Sequence, residues 1–278
     1  MSTYLVRSLL VVLVLFGGTR AADAAGEIHW YRNLEQASAV AQKNNLPMFV
    51  DFWADWCAVC KVMDADVYTD PKVIRAFEDK VVGVRLHFDL QPDMARKFNV
   101  PALPFLVWTN SYGTPLAYHR GLLEAEDLGM ILEAMPDLGE INRLDLGLQK
   151  DKNSFAGLLA MGRTLRESGF YETSNTYYER ASKHRAAKGD AATRESIYFD
   201  MALNSLVLEE GKIAVAALEK TLKEFPKSSR TPDVLLALGR AYILDEKHDR
   251  ARQSLNAVVS TYPQTPAAAE ARALLKSL

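Results

Sequence analysis

The sequence predicts two domains of different class: an α/β domain with a mixed central sheet and helices on both faces, followed by an all-α domain of helical repeats. Up to about residue 136, predicted strands and helices alternate and end in a hairpin, which is typical of a mixed sheet. Beyond residue 153 strand signals vanish, and helix pairs rich in alanine and leucine recur at a fixed spacing. The length of 278 residues also favours two domains over a single core.

The composition is that of a globular protein with little net charge. Hydrophobic residues make up 49% and charged residues 24%, and the formal net charge is −2. No basic excess is present that would draw the chain to a polyanion. We therefore expect no nucleic-acid partner.

Residues 1–24 are predicted to be a cleavable signal peptide. Arg7 supplies the positive start, Leu9 to Phe16 the apolar stretch, and Ala22-Asp23-Ala24 the cleavage site. The apolar stretch of about eight residues is far shorter than the roughly 20 needed to span a bilayer. We expect cleavage after Ala24, without lipid attachment, and export to the periplasm.

The α/β domain is predicted over residues 25–136, and its central strand is the clearest element. Residues 47–53 are apolar except for Asp51, as expected of a strand covered on both faces. A helix is predicted to follow over residues 57–68. Apolar spacing, prolines and turn residues predict the other elements. The strands are an edge strand at 28–31, a strand at 81–88, and a hairpin of 103–109 with 115–120. The helices are at 34–44, 94–98 and 124–135, with a further short helix that begins at Pro71.

Both cysteines of the chain lie in one Cys57-Ala58-Val59-Cys60 pair at the start of the predicted helix. A thiol there meets free backbone N–H groups and the positive end of the helix dipole, which favour the thiolate that attacks disulfides. We expect Cys57 to be the exposed nucleophile and Cys60 to be the more buried thiol that releases the product.

Three other interpretations of the cysteine pair remain. A structural disulfide is more usual in exported proteins, but so short a loop gives it little stabilising power. Half a zinc site would need ligands that no second cysteine pair supplies. Two inert buried thiols are the third. We predict a redox-active disulfide, with no metal and no cofactor.

Three longer stretches carry a resemblance to a known family. The chain reads Val50-Asp51-Phe52-Trp53-Ala54-Asp55-Trp56-Cys57-x-x-Cys60-Lys61, then Tyr68-Thr69-Asp70-Pro71-Lys72-Val73 and Phe98-Asn99-Val100-Pro101-Ala102-Leu103-Pro104. Roughly residues 27 to 136 resemble the thioredoxin family, and are most similar to the C-terminal reductase domain of DsbD-type interchange proteins. The resemblance implies a thioredoxin-like fold and thiol-disulfide exchange on protein disulfides, with a membrane thiol transporter as electron donor.

The resemblance also assigns roles to residues around the pair. It makes Asp51 the family's buried aspartate, which helps to move the proton of the second cysteine, and burial of a carboxylate should raise its pKa accordingly. It makes Pro104 the family's cis-proline, and Trp56 and Leu103 part of an apolar substrate-binding rim. The alternatives are an ion pair of purely structural value between Asp51 and Lys61 or Arg85, and simple turn rigidity for Pro104.

Residues 137–152 are polar, contain glycine and show no firm period, so they are predicted to be a linker. The last domain, residues 153–278, then repeats a pattern at an offset of 37 residues, in which Gly239, Ala251, Leu255 and Pro263 follow Ala202, Ala214, Leu218 and Pro226. Leu238 and Tyr242 accompany the later unit, and Leu203 the earlier one. A looser unit carries Met161-Gly162, Leu165, Tyr178 and Ala181. These units resemble tetratricopeptide repeats, about three of them plus a capping helix at 267–278.

Together these features predict an exported thiol-disulfide oxidoreductase, a reductase or interchange protein, whose repeats dock a protein partner. A reductase of apocytochrome thiols is a narrower form of the same function. The alternative is a scaffold of the cell envelope built on its repeats, with a thioredoxin-like domain that does no catalysis.

Overall fold

The computed structural model describes residues 26–278, so the predicted signal peptide lies outside the described residues. The first domain is built on a five-stranded mixed sheet in the order β1-β3-β2-β4-β5. Its strands are β1 (Trp30–Tyr31), β2 (Met48–Trp53), β3 (Val82–His87), β4 (Phe105–Thr109) and β5 (Pro115–Arg120). The first three are parallel, whereas β4 and β5 continue the sheet in antiparallel fashion. The strand that precedes the cysteine pair, β2, is therefore central, as predicted.

Helices cover both faces of this sheet. They are α1 (Leu34–Asn44), α2 (Ala58–Val62), which continues as a π-helical segment (Met63–Val67), α3 (Pro71–Asp79), α4 (Pro92–Lys97) and α5 (Ala125–Glu133). Alternate residues of β2 enter two separate cores: Val50 and Phe52 pack on the α1 side, and Phe49 packs on the α3 and α5 side. Asp51 points to the same side as Phe49, which places a carboxylate beside an apolar core. The predicted mixed α/β class is confirmed.

The prediction of an irregular linker at residues 137–152 is wrong, because most of this segment forms α6 (Gly139–Lys150). Ile141, Leu144 and Leu148 share one face of this helix and pack into the core of the repeats. Two glycines and several polar residues obscure this period in the sequence.

The polar side of α6 binds the turn between β4 and β5. The buried Asp145 accepts hydrogen bonds through Oδ2 from Asn110 Nδ2 at 3.0 Å and Thr114 Oγ1 at 2.9 Å. A further bond links the domains where Thr173 Oγ1 donates to the Leu116 carbonyl oxygen on β5 at 2.6 Å. The segment thus joins the sheet and the repeats through buried polar contacts.

The remaining helices form three antiparallel pairs, a short helix between the first two pairs, and a cap. They are α7 (Phe155–Glu167) with α8 (Tyr171–Lys183), a short α9 (Arg185–Gly189), α10 (Ala191–Val207) with α11 (Gly211–Glu224), α12 (Thr231–Leu244) with α13 (His248–Thr261), and α14 (Pro266–Ser277). Close approach within a pair depends on glycine: a Cβ on Gly239 would lie 2.5 Å from Leu255 Cδ2, and one on Gly162 would lie 2.8 Å from Tyr178 Cδ1. The predicted all-α repeat class is confirmed. Within residues 26–278, no helix has both the length and the hydrophobicity that a bilayer crossing requires.

Candidate active site

The cysteine pair lies where the central strand passes into α2. Cys57 is the N-cap residue of α2, and its Sγ accepts a hydrogen bond from the Cys60 backbone N–H at 3.1 Å. The two cysteines form a disulfide. The structure therefore represents the oxidised form, in which Cys57 holds the predicted position at a helix start.

The exposure of Cys57 differs from what the helix position suggested, whereas Cys60 is the more buried of the two, as expected. Cys57 is 5% exposed and Cys60 is 1% exposed, so the expectation that the helix start leaves Cys57 open to solvent is wrong for the disulfide form. The cause is packing, because Ala54, Trp53 and Leu103 surround the disulfide. In this form, packing leaves little of Cys57 accessible to an attacking thiol.

Asp51 is 1% exposed and lies on the central strand. Burial raises the pKa of Asp51 from 3.8 to about 6, and the Arg85 guanidinium opposes this rise. Arg85 Nε donates to Asp51 Oδ2 at 3.0 Å. Parallel pairing of β2 with β3 sets Asp51 directly opposite Arg85. Of the two cations considered from the sequence, Arg85 is thus the partner, while Lys61 is exposed.

Two further polar residues of this cluster were missed by the sequence analysis. Arg85 Nη1 also pairs with Asp64 Oδ1 at 2.8 Å, and Tyr68 is buried in the same region, with its pKa raised well above 10 by burial and by Asp51. The spacing in the sequence could have indicated Asp64 and Tyr68, because Asp64 follows Cys60 by four residues and Tyr68 follows Asp64 by four. Residues at this spacing share one side of a helix.

The loop before β4 supplies the opposite wall of the site. The Leu103–Pro104 peptide bond is cis, and Leu103 packs against the two cysteines. Pro104 is buried. Leu103 therefore lies beside the disulfide, and Pro104 follows it in the chain.

Exposed apolar side chains near the cysteine pair form what we call the apolar rim. Trp56 is 65% exposed, and its indole N–H donates to Asp89 Oδ2 at 2.8 Å, which fixes the ring. Val59, Val62 and Leu90 are also exposed. Such a rim suits an extended apolar segment of another protein better than a small polar molecule.

An open cavity of about 450 Å³ lies beside this rim, at the carboxyl ends of β2 and β3. Its lining includes Trp53, Arg85 and His87, and His87 Nε2 lies 3.2 Å from Asp55 Oδ2 at its edge. The cavity brings solvent close to Arg85. In residues 26–278, no three side chains of the metal-binding types converge on a common point.

Comparisons with known proteins agree with this architecture. Residues 29–110 match a thioredoxin-like family model, and residues 211–275 match a tetratricopeptide repeat model. The resemblance to both families is confirmed for these parts of the chain.

Three curated relatives illustrate the match to the first domain. Thioredoxin 1 of Chlorobaculum tepidum is 38% identical over 64 residues, which are 23% of this chain and 60% of that protein. The thiol:disulfide interchange protein DsbD of Yersinia pestis is 30% identical over 129 residues, 44% of this chain and 22% of that protein. The thiol:disulfide interchange protein TxlA of Synechococcus elongatus is 28% identical over 162 residues, 54% of this chain and 81% of that protein. The chain spans less than two thirds of the length of the first two.

Proposed function

We propose that this chain, a thioredoxin-like domain joined to tetratricopeptide repeats, is an exported thiol-disulfide oxidoreductase that reduces or exchanges disulfides in proteins. The observation that carries the proposal is the Cys57–Cys60 disulfide at the N-terminus of α2, which follows the central strand with the buried Asp51 and is flanked by the exposed Trp56. The relatives named above as interchange proteins support the same chemistry.

The reaction begins from the reduced dithiol. The Cys57 thiolate attacks one sulfur of a substrate disulfide, which forms a mixed disulfide and releases the other substrate sulfur as a thiolate. Free N–H groups at the start of α2 stabilise the attacking thiolate. The apolar rim that includes Trp56, with Leu103 and Pro104 on the opposite wall, holds the substrate segment around its sulfur.

The second step returns the enzyme to the state described here. Cys60 gives up its proton, with Asp51 as the acceptor, and its sulfur attacks Cys57 Sγ. A Cys57–Cys60 bond forms as the bond from Cys57 to the substrate breaks, so two electrons have passed to the substrate. A pKa of about 6 suits Asp51 to this role, because near neutral pH the group is ionised yet basic enough to accept a proton.

The remaining parts of the proposal concern partners and location. We assign periplasmic export to residues 1–24, re-reduction to a membrane thiol transporter that passes electrons to Cys57, and partner docking to the repeats. Helical repeats form extended surfaces that bind proteins, so the second domain would select which proteins reach the dithiol.

We expect the reduction potential of the pair to lie nearer the value of about −270 mV for thioredoxin than the value of about −120 mV for a strong dithiol oxidase. The reason is that Ala58 and Val59 place no cation or imidazole between the sulfurs to stabilise the thiolate further. Equilibration with glutathione redox buffers, followed by alkylation and mass spectrometry, measures this potential. A value near that of the oxidase would contradict the assignment as a reductase.

Trapping the intermediate tests the function itself. The full chain with Cys60→Ala is expected to form a stable covalent adduct with insulin, because nothing remains to resolve the mixed disulfide at Cys57. Mass spectrometry of the alkylated mixture measures the adduct, which dithiothreitol should release.

The matched control carries Cys57→Ser together with Cys60→Ala and should form no adduct. If both proteins stay free of insulin, the alternative of an envelope scaffold with a non-catalytic thioredoxin-like domain replaces the oxidoreductase.

A further inference from the structure

A second cavity, of about 580 Å³, lies where the edge strand β5 meets the first pair of repeat helices. The first domain contributes Phe98, Phe105, Tyr118 and Arg120 to its lining. The repeats contribute Glu172, which lies in the first turn of α8. The cavity is therefore built by both domains together.

The cavity continues the wall of the site that carries Leu103 and Pro104. Leu103 contacts the disulfide, and Phe105, two residues further, lines the cavity. Arg120 lies opposite Phe105 in the register of β4 and β5, and the next residue, Gly121, donates its N–H to the Pro104 carbonyl oxygen at 3.0 Å. An extended chain advances about 3.3 Å per residue, so a segment held at Leu103 reaches the cavity within a few residues.

The lining presents an aromatic surface between two opposite charges. The rings of Phe105 and Tyr118 stack with their centroids 5.6 Å apart, and Tyr118 is 42% exposed. Burial, and after it the carboxylate of Glu172, raises the pKa of Tyr118, which places that carboxylate near the phenol. Going away from Pro104 along β5, a bound segment would meet the Arg120 cation first, and then the Tyr118 ring with the Glu172 carboxylate.

Both of these charges are exposed and available to a ligand. Within the described part of the chain, neither Arg120 nor Glu172 forms an ion pair. Charges at the rim of a binding site select partners and fix their register by complementarity. The two charges therefore favour a segment that carries an acidic and a basic side chain in a fixed order.

We propose that this cavity is a specificity subsite for the substrate protein, in which Arg120 binds an acidic side chain two residues from the reacting cysteine and Glu172 binds a basic side chain four residues from it. Side chains at these two positions of an extended segment point the same way and lie roughly 7 Å apart. The inference rests on the proposed function, because the occupant is the chain that Cys57 captures. The repeats thereby supply a residue of the substrate site itself.

The experiment uses two peptides that have the same composition and net charge and differ only in the order of their charges. One reads Cys-Gly-Glu-Gly-Lys and the other Cys-Gly-Lys-Gly-Glu, both are blocked at their ends, and each cysteine carries 5-thio-2-nitrobenzoate as a disulfide. Cys57 of the full chain with Cys60→Ala attacks the peptide sulfur. A bond forms between these two sulfurs as the coloured thiolate leaves, so absorbance gives the rate. A second series with the cysteine at the other end covers the opposite chain direction.

The peptide with glutamate nearer the cysteine is expected to react about three- to tenfold faster, in the series whose direction fits, as two exposed charge pairs would give. Arg120→Gln and Glu172→Gln should each reduce this ratio. Arg120→Glu together with Glu172→Lys should reverse it. The ratio of two rates in one sample does not depend on how much of the protein is folded, so a loss of stability cannot imitate the effect.

Two exposed residues outside the lining provide a matched control. Arg75 lies on α3 and Glu246 in the turn between α12 and α13, and neither forms an ion pair with the other described residues. Arg75→Glu together with Glu246→Lys makes the same exchange of charges. This variant should keep the ratio of the chain that carries Cys60→Ala alone.

The outcomes separate this inference from the proposed function. A ratio that reverses in the exchanged variant and stays in the control supports the subsite. Equal rates in both series, or a ratio that the Arg120 and Glu172 variants leave in place, overturn the subsite while the trapping result stands.

If Cys57 reacts with no peptide, the proposed function fails and a binding measurement decides on the subsite. Fluorescence anisotropy then compares serine versions of the same peptides on the oxidised chain. Tighter binding of the peptide with glutamate nearer the serine supports the subsite, and equal affinities overturn it.

Discussion

Changing Cys57 to serine is expected to lower the rate of insulin disulfide reduction at least about a thousandfold, to the level without enzyme. A serine hydroxyl does not ionise near neutral pH and forms no sulfur–sulfur bond, so neither step of the exchange is possible. Cys57 and Cys60 are the only cysteines of the chain, and no other thiol can substitute. Turbidity of precipitating insulin B chain, with dithiothreitol as reductant, measures the rate.

The companion variant Cys60→Ser separates the two roles. It retains Cys57, so it should release one substrate thiol per protein in a burst and then stop, because the mixed disulfide is not resolved. The Cys57→Ser protein should show no burst. Equal bursts from both variants would mean that either sulfur can attack first, and the assignment of Cys57 as nucleophile would be lost.

The sequence predicts an element well when the residues that the element contacts lie close in the chain, or when its hydrophobic pattern faces a single domain. The continuously apolar β2 has a single interpretation, because both of its faces meet helices of the same domain. Helix α6 was missed because it serves two partners, with leucines for the repeats and Asn142 and Asp145 for the hairpin turn. Polar residues with a partner far along the chain look like exposed ones in the sequence.

The same limit applies to the candidate site. The sequence offered Lys61 and Arg85 as possible partners of Asp51 but could not choose, because the choice depends on the register of β2 against β3. Likewise, α2 placed Cys57 at a helix start, yet its burial depends on Leu103 in a loop more than forty residues away. The local sequence pattern predicts the chemistry of the dithiol, whereas the accessibility of Cys57 depends on tertiary packing.

Replacing Asp51 with asparagine is expected to lower the activity and to raise the stability of the protein. Its pKa of about 6 in the folded protein exceeds the ordinary value of 3.8, so folding favours the protonated form. The stability associated with this group is complete below pH 3.8 and is lost as the pH rises through about 6. At 1.36 kcal/mol per pKa unit, the loss amounts to about 3 kcal/mol at pH 7 and above.

Asp51→Asn should therefore raise the free energy of unfolding by about 3 kcal/mol at pH 7.5, and the gain should shrink toward zero near pH 3.5, where both proteins are uncharged at this position. Arg85 retains Asp64 at 2.8 Å, so the variant leaves no isolated buried cation. Urea unfolding of the oxidised proteins across this pH range measures the difference, with Asp66→Asn as a control that should match the unmodified chain.

The same variant should slow the resolving step about 10- to 100-fold at pH 7, because an amide accepts no proton from Cys60. Stopped-flow measurement of substrate thiol release checks this rate. A gain in stability that is constant with pH would place its origin in packing and not in the buried charge. An unchanged rate would mean that Asp51 serves only in a structural ion pair with Arg85. This ion pair is the alternative to the catalytic role.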